Sequence, residues 1–254
     1  MQNWFIPLHK TWLYHVNPSV KFVGLTIVLL ILFFQKNLLF TWTMIGCYCP
    51  LLMLGSGYKW RRLLLFMIPI AVSAISSSMG LLLFGRGQTV LWKWGIIKIS
   101  EESIASALML GSKSVIIGLI SLLLLLTTQP VQLFYSFMQQ LRLPAKYMYS
   151  AMAAIRMLPM IIEEFQIRSR ALKVRRVAYS KGISGLFGRL KHYAVPLVAQ
   201  SIRRAQRIAV AMEAKQFQLG AARTYYYVTG YSRYDLFMLS YMFVSLAVAW
   251  IISQ

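Results

Sequence analysis

One long basic segment, enclosed by apolar stretches, sets the main limit on what this chain can fold into. Residues 130–235 hold 17 of the 27 Lys and Arg residues of the chain. An unpaired Lys or Arg in the bilayer core costs several kcal/mol, so this segment cannot lie in hydrocarbon. It is expected to face water or the membrane surface. The apolar stretches, four before it and one after it, are 21–34, 38–54, 63–84, 104–127 and 236–252.

The composition indicates an integral membrane protein. Hydrophobic residues make up 58% of the chain and charged residues 13%, whereas a soluble domain has about half apolar and about a quarter charged residues. A membrane-spanning helix needs about 20 apolar residues. We therefore expect an all-α integral membrane protein with about five transmembrane helices, plus long amphipathic helices between the fourth and fifth. The expected domains are a four-span membrane domain (1–129), the basic region (130–235) and a final span (236–254).

The distribution of basic residues predicts the orientation. The loop between the second and third spans carries Lys59, Arg61 and Arg62, and the N-terminal segment carries Lys10 and Lys21. Five spans place both regions on the same side as the basic segment. Because Lys and Arg concentrate on the cytoplasmic side, that side is expected to hold the N-terminus and the basic segment. The prediction is a multi-pass protein of the cell membrane with its C-terminus outside.

The net charge of +21 also bears on possible partners. Attraction to anionic lipid headgroups accounts for such an excess in a membrane protein, so the bilayer is the expected partner. A membrane-tethered nucleic-acid binder is an alternative, and its affinity would fall steeply with salt. No nucleic-acid-binding motif appears, so no nucleic acid is expected.

The fourth span carries one face of small residues. Their spacing of three and four residues lets another helix approach closely, either from this chain or from a partner protein. Lys113 lies well inside the same span, where it either marks a polar pathway or extends its charge toward the outer surface. The small residues are Ala107, Gly111, Ser114, Gly118 and Ser121.

The basic segment has a helical pattern. A short helix over 135–141 is expected to end before Pro144, and two long helices are expected over 146–176 and 187–217. Each has an apolar face and a basic face. Three glycines are expected to break the pattern between the long helices: Gly182, Gly185 and Gly188.

The chain lacks the residues that catalysis needs in a convergent set. None of its three His has a metal-ligand spacing partner. Glu163 and Glu164 are adjacent and point apart on a helix, and Glu164 is expected to form a solvated i,i+4 pair with Arg168. We expect a non-catalytic protein without a cofactor, in which any ATP is bound by another subunit. A membrane-embedded enzyme, such as a lipid-modifying transferase, is the alternative and would require a convergent site.

Five short segments carry a family resemblance, in order, over about 200 residues of the chain. They resemble the T component of energy-coupling-factor (ECF) transporters, which are vitamin and metal importers related to ABC transporters. Asn-Pro-Ser-Val-Lys resembles the family's Asp-Pro-Arg-x-Lys, and Met-Glu-Ala matches the end of its last coupling helix. The segments lie at 17–21, 127–130, 141–144, 156–159 and 212–214.

The resemblance implies two ATPase-coupling tips. In the family, x-Arg-x motifs end two coupling helices and insert into grooves of two ATPase subunits. The aligned residues are Val174, Arg175 and Arg176, and then Ala214, Lys215 and Gln216. Both motifs depart from the usual Ala-Arg-Gly, because both lack the glycine and the second has Lys in place of Arg. The resemblance also implies supporting roles for Arg156, Pro159, Glu164 and Glu213.

The implied partners are two ATP-binding ABC subunits or domains and a small substrate-binding membrane subunit. ATPase closure would move the coupling helices and reorient the substrate-binding subunit in the bilayer. The chain is most similar overall to the subunit that serves thiamine or its hydroxymethylpyrimidine precursor. A cobalt- or nickel-type subunit of the same family is the alternative.

Overall fold

The chain folds into helices arranged in two compact units. The computed structural model describes residues 9, 11–85, 90–94, 97–175, 183–217, 225 and 227–254. The membrane unit comprises Met1–Ser136 and Val228–Gln254, and the basic unit comprises Phe137–Tyr227. In chain order the elements are α1 (Trp12–His15), α2 (Pro18–Phe34), α3 (Leu38–Gly55), α4 (Trp60–Phe84), β1 (Val90–Trp94), β2 (Ile97–Ser100), α5 (Glu101–Thr127), α6 (Pro130–Gln139), α7 (Ala145–Val174), α8 (Ile183–Ala214) and α9 (Arg233–Ser253).

The predicted all-α membrane architecture is confirmed. Among the described residues, α3, α4, α5 and α9 are long and apolar enough to cross a membrane. The first predicted span is the shorter apolar helix α2, with 17 residues. That length is at the lower limit for a crossing. The five predicted apolar stretches therefore all form helices.

Two membrane helices begin at polar caps that lie outside the apolar stretches. The Ser100 side chain accepts a hydrogen bond from the Ser103 N–H, so α5 begins at Glu101 rather than near residue 104. Glu101 and Glu102 lie in the first turn, where negative charge is favourable. Ser232 and Asp235 form a capping box at the start of α9.

A two-stranded antiparallel hairpin, which the sequence pattern did not predict, joins α4 to α5. Strands β1 and β2 pair Lys93 with Lys98 and Trp94 with Ile97, with an irregular register near Trp92. The loop predicted over 85–103 thus contains regular structure. Because two short strands give only a few alternating positions, the pattern is too brief to identify from sequence.

Helix α5 lies at the centre of the membrane unit. It packs against α2, α3 and α4, while α9 packs against α1, α2 and α3. One continuous apolar core fills the space between these helices. Its fully buried members include Leu25, Leu32, Met44, Leu52, Ile116, Leu119, Leu123 and Met238.

The small-residue face of α5 lies partly against α4. A Cβ at Gly118 would meet Ile70 side-chain atoms, and one at Gly111 would meet the Ser78 hydroxyl. The hydroxyls of Ser114 and Ser77 are 3.0 Å apart. These contacts bring the two backbones close together. At the ends of the same face, Ala107 is buried and Ser121 is exposed.

Lys113 contacts the end of the short helix α2. Its Nζ donates to the Phe33 carbonyl oxygen at 3.2 Å. The last carbonyls of a helix lack partners within the helix, and a cation there is favourable. Helix α5 has 27 residues and α2 has 17, so an interior position of the long helix reaches the end of the short one. The contact gives this lysine, which lies inside a span, a structural role.

The basic unit is built from an antiparallel pair of long helices. Tyr149, near the start of α7, packs against Phe217, just beyond the end of α8, with ring centroids 5.5 Å apart. Further along, Phe165 packs against Tyr193 at 5.0 Å. From the first pair to the second, the residue number rises along α7 and falls along α8, so the two helices are antiparallel.

Three boundaries in the basic segment differ from the prediction. Helix α6 begins at Pro130, because proline is tolerated in a first turn, and it ends before Arg142, whose φ is +52°. Helix α8 begins at Ile183 rather than near residue 187. Gly185 and Gly188 therefore lie inside this helix and not in a glycine loop, since glycine weakens a helix without excluding it. Gly182 lies outside the described residues.

Candidate coupling site

The first candidate tip is the C-terminal end of α7. Val174 is the last helical residue and is 83% exposed. Arg175 caps the helix, and its N–H donates to the Ala171 carbonyl at 3.0 Å. Its backbone has right-handed helical angles and its side chain is exposed. Arg176 lies outside the described residues. The guanidinium of Arg175 is thus presented at the end of a long helix.

The second candidate tip is a hydrogen-bonded turn at the end of α8. The Gln216 N–H donates to the Glu213 carbonyl at 2.8 Å, and the Phe217 N–H donates to the Met212 carbonyl at 2.9 Å. Gln216 has a φ of +55°. This pattern is a Schellman motif, in which glycine is the usual left-handed residue. This geometry explains why the family's motif has glycine here: a residue with a Cβ, such as Gln216, adopts the left-handed angle only at a cost in free energy. Ala214 and Lys215, which lie inside this turn, are exposed.

The two tips lie at opposite ends of the helix pair. Lys215 is two residues from Phe217, which contacts Tyr149 at the start of α7. Arg175 lies at the other end of the same helix. Arg175 follows Tyr149 by 26 positions, which correspond to about 40 Å at the rise of an α-helix. One bound subunit at each tip is compatible with that separation.

Glu164 joins α7 to α8, which corrects the predicted pair with Arg168. Its Oε1 accepts from Arg204 Nη2 in an ion pair and from Gln200 Nε2 at 2.9 Å. The side chains of Glu164 and Arg204 are only 15% and 18% exposed. The prediction failed because spacing along one helix cannot show which residue of a neighbouring helix competes for the same carboxylate. Arg204 and Gln200 were therefore missed.

The other supporting residues do not meet at one point. Arg156 and Pro159 are exposed on the middle of α7. Pro159 and Pro196 both lie inside their helices, where each removes a backbone donor. Glu213 is exposed, and its backbone carbonyl takes part in the turn at the second tip. The structure therefore distributes these residues along the helix pair.

A cleft of about 360 Å³ adjoins the first tip. Arg168 and Arg175 line it together with Glu164 and Gln200. The Nε of Arg168 and the Oε2 of Glu164 are buried, and neither has a hydrogen-bond partner among the described residues. Since Arg204 already neutralises Glu164, the cleft carries a surplus of positive charge.

An apolar groove of about 430 Å³ lies toward the second tip. Small and flexible apolar residues of both helices line it, which leaves space between the two backbones. Met212 and Phe217 belong to this lining, so the Schellman turn also closes the groove. The other lining residues include Tyr149, Ala153, Ala154, Met157, Ala205, Ile208 and Ala209.

Both long helices also expose apolar side chains outside this groove. Helix α7 buries none of its residues. Its side chains at Leu158, Ile162 and Phe165 are 56%, 46% and 45% exposed, and α8 exposes Val198 and Ile202 to similar extents. Apolar patches of this kind indicate contact with protein or membrane.

Thr128, Gln129 and Pro130, from the segment at 127–130, line a separate cavity of about 430 Å³ in the membrane unit. Tyr14 and Tyr58 contribute to the same wall. Burial raises the pKa of Tyr14 above its usual value, so its hydroxyl stays protonated and donates to the Leu126 carbonyl at 2.6 Å. This hydrogen bond holds the end of α5 against α1.

In the part of the chain that the structure describes, no group of three or more His, Cys, Asp or Glu could hold a metal ion. Cys47 and Cys49 are free thiols that are partly buried in α3.

Most of this chain is similar in sequence to known proteins. The family model for CbiQ, described as a cobalt transport protein, matches residues 9–226. The chain is 28% identical over 239 residues to the energy-coupling factor transporter transmembrane protein EcfT of Lactobacillus helveticus, covering 90% of this chain and 85% of that protein. It is 27% identical to EcfT of Streptococcus equi, covering 84% of this chain and 82% of that protein. It is also 28% identical to EcfT of Limosilactobacillus fermentum, covering 93% of this chain and 91% of that protein.

The matched region contains both long helices, both tips and most of the membrane unit. A family match over most of the chain, supported by relatives that align over nearly their whole length, establishes the family. The chain belongs to the CbiQ/EcfT family, the transmembrane components of energy-coupling-factor transporters.

Proposed function

We propose that this protein couples the motion of two ATP-binding subunits to a substrate-binding membrane subunit. Arg175 and Lys215 each engage one ATP-binding subunit. The long helices carry the displacement, because a hydrogen-bonded helix resists compression along its axis. Hydrolysis takes place on the partners, and this chain provides a non-catalytic link.

The placement of the two tips carries this proposal. Two exposed basic side chains end the helices of one antiparallel pair about 40 Å apart, as the helix rise gives. A pair of ATP-binding subunits can contact both ends together. The Glu164–Arg204 ion pair and Gln200 hold the helices together between the tips, so that motion at one end reaches the other.

The exposed apolar faces of α7 and α8 support contact with the substrate-binding membrane subunit. An apolar surface has no directional hydrogen bonds to break when it slides against another. The partner can therefore change its orientation while it stays in contact.

The proposed location is the cell membrane, with the basic unit in the cytoplasm. Sixteen of the 27 Lys and Arg residues lie between 137 and 227, and such residues concentrate on the cytoplasmic side. ATP is available on that side, which agrees with the assignment of the tips.

The proposed cargo is a micronutrient, with thiamine or hydroxymethylpyrimidine as the first candidate from overall resemblance. Cobalt is the second candidate, because the matching family model is described as a cobalt transport protein. Uptake of labelled thiamine, hydroxymethylpyrimidine and cobalt by cells with and without this chain separates the candidates. Loss of uptake for one compound alone identifies the cargo.

Co-purification tests the coupling role. The tagged chain is expected to retain ATP-binding subunits from its own membranes, whereas the Arg175→Ala/Lys215→Ala double variant loses them. Arg170→Ala/Lys191→Ala is the matched control, because both are exposed basic residues of the same helices that lie outside the two tip motifs. Retention by the tip variant equal to wild type would remove the tips from the mechanism.

A further inference from the structure

One buried asparagine of the membrane unit contacts both chain segments that connect to the basic unit. The Asn17 Oδ1 accepts a hydrogen bond from the Ser136 hydroxyl at 2.6 Å. The Asn17 Nδ2 donates to the Gly230 carbonyl at 3.1 Å. Ser136 is the last residue before the basic unit, and Gly230 follows it by three residues. An amide side chain both accepts and donates, so one Asn can hold two segments.

The contacts of Asn17 belong to a satisfied polar cluster. The Asn17 N–H donates to Asp235 Oδ1 at 2.6 Å, and the Ser232 N–H donates to Asp235 Oδ2 at 2.7 Å. The Ser19 N–H donates to the Ser136 hydroxyl at 3.1 Å. Asn17, Ser19 and Asp235 are each 4% exposed, and Ser136 is 0% exposed. Buried polar groups that satisfy one another fix a single arrangement.

A buried lysine connects the same cluster to the central helix. Lys21 is 1% exposed, and its Nζ donates to the Thr127 carbonyl at the end of α5 at 3.1 Å. Its charge also interacts with Asp235. The starts of α2 and α9, the end of α5, and α6 thus meet at one point. We call this set the polar junction: Asn17, Ser19, Lys21, Ser136, Gly230 and Asp235.

A helix cap alone does not require this arrangement. Capping of α2 uses only the bond from the Ser19 N–H to Asn17 Oδ1, at 3.2 Å. The two other side-chain contacts of Asn17 reach residues 119 and 213 positions away along the chain. Those residues flank the basic unit on both sides.

We infer that Asn17 is a positioning residue that fastens two segments of the membrane unit, at Ser136 and Gly230, to the start of α2; these segments flank the basic unit in the chain. A displacement that reaches these two segments is then passed on to α2 and the end of α5, because hydrogen bonds connect the segments to the polar junction. This inference rests on the proposed coupling function and adds the point at which force enters the membrane unit.

The substitutions at Asn17 and Ser136 have different expected effects. Asn17→Ala removes both contacts. Asn17→Asp keeps the oxygen acceptor for Ser136 but loses the donor to Gly230, and it brings a second carboxylate to Asp235. Ser136→Ala frees only the incoming segment. Asn37→Ala is the matched control, because Asn37 Nδ2 also holds a distant carbonyl, that of Ser253 at 2.7 Å, outside the junction.

The main test compares ATP hydrolysis with uptake in the assembled transporter. Asn17→Ala is expected to retain its ATP-binding subunits and to hydrolyse ATP, while uptake per ATP hydrolysed falls about tenfold. Asn17→Asp and Ser136→Ala should give intermediate losses, and Asn37→Ala should match wild type. Unchanged uptake per ATP in Asn17→Ala, or an equal loss in Asn37→Ala, overturns the inference.

A disulfide supplies a rescue that a purely structural role does not predict. The hydroxyls of Ser19 and Ser136 are in contact, so Ser19→Cys and Ser136→Cys place two thiols side by side. In a background without Cys47 and Cys49, oxidation with copper phenanthroline should restore part of the uptake per ATP that Asn17→Ala loses, because the disulfide refastens the Ser136 segment and not the Gly230 segment. Reduction should abolish the gain. A disulfide that forms without rescue contradicts the inference.

Amide hydrogen exchange separates failure of the junction from failure of the coupling function. Asn17→Ala should speed exchange in 130–136 and 228–232 together, and Asn37→Ala should not. Unchanged exchange rejects the junction whatever the protein does. If exchange is faster in Asn17→Ala but the wild-type chain binds no ATP-binding subunit, the junction exists and the coupling role is rejected. The positioning role is then rejected with it.

Discussion

Gln216 shows how a single backbone angle shapes the second tip. Its φ of +55° places it in the left-handed region, which disfavours side chains with a Cβ. Gln216→Gly is expected to stabilise the end of α8 by about 1 kcal/mol. Slower amide exchange at Lys215 and Phe217 would measure the gain. Gln216→Ala is the control, because it removes the amide group and keeps the strained angle. An equal gain in both variants would contradict the backbone explanation.

The two tip cations are expected to contribute unequally. Arginine forms paired hydrogen bonds through a planar fork, whereas lysine offers a single ammonium group. Arg175→Ala should weaken ATPase binding by about 2 to 5 kcal/mol if the contact is desolvated. Lys215→Ala should cost less, and Lys215→Arg should tighten binding. Titration of the ATP-binding subunits onto each variant measures the difference, and an equal loss at both tips would contradict the ranking.

At the scale of elements, the ion pair between α7 and α8 is expected to determine how firmly these helices are held together. Both side chains are mostly buried, so Glu164→Gln leaves the Arg204 charge without its partner. The expected loss is about 1 to 3 kcal/mol of stability in the basic unit. Thermal unfolding of the purified protein measures it. Glu163→Gln is the control, because the neighbouring carboxylate is exposed; an equal loss there would indicate a general charge effect.

Because Gly188 lies inside α8 and not in a flexible loop, its replacement by alanine is expected to stabilise the helix. A Cβ at Gly188 would meet nothing within 4 Å, and the residue lies inside the helix. Gly188→Ala is therefore expected to raise helix stability by about 0.5 to 1 kcal/mol while uptake stays unchanged. Circular dichroism on heating and an uptake assay check the two parts. A large fall in uptake would instead indicate that the helix must bend at this position.

Sequence patterns predict the elements better than the contacts between them. The apolar stretches and the 3.6-residue period of the basic segment indicate every long helix, because both signals are local. The partner of Glu164 depends on the register of two helices, and the polar junction joins residues more than 100 positions apart. The Ser232 to Asp235 capping box is a local signal that could have identified part of the junction. Its contact with Asn17 could not be predicted without the fold.

For the whole molecule, the short helix α2 decides the topology. If α2 crosses the membrane, residues before it share a side with the basic unit; if it does not, they lie on the opposite side. Its 17 residues cover about 25 Å, and Lys113 satisfies its last turn from α5. These features favour a crossing, and hence five spans.

Cysteine labelling tests this topology in a background in which Cys47 and Cys49 are replaced by alanine. The reporters are His9→Cys before α2, Glu101→Cys at the start of α5 and Lys173→Cys in the basic unit, all of which are exposed positions. Five spans predict that an impermeant maleimide labels Glu101→Cys in intact cells, and the other two only after permeabilisation. Labelling of His9→Cys from outside, with Lys173→Cys still protected, would show that α2 does not cross. Labelling of Lys173→Cys from outside would overturn the cytoplasmic placement of the tips, because an ATP-driven partner could not reach them there.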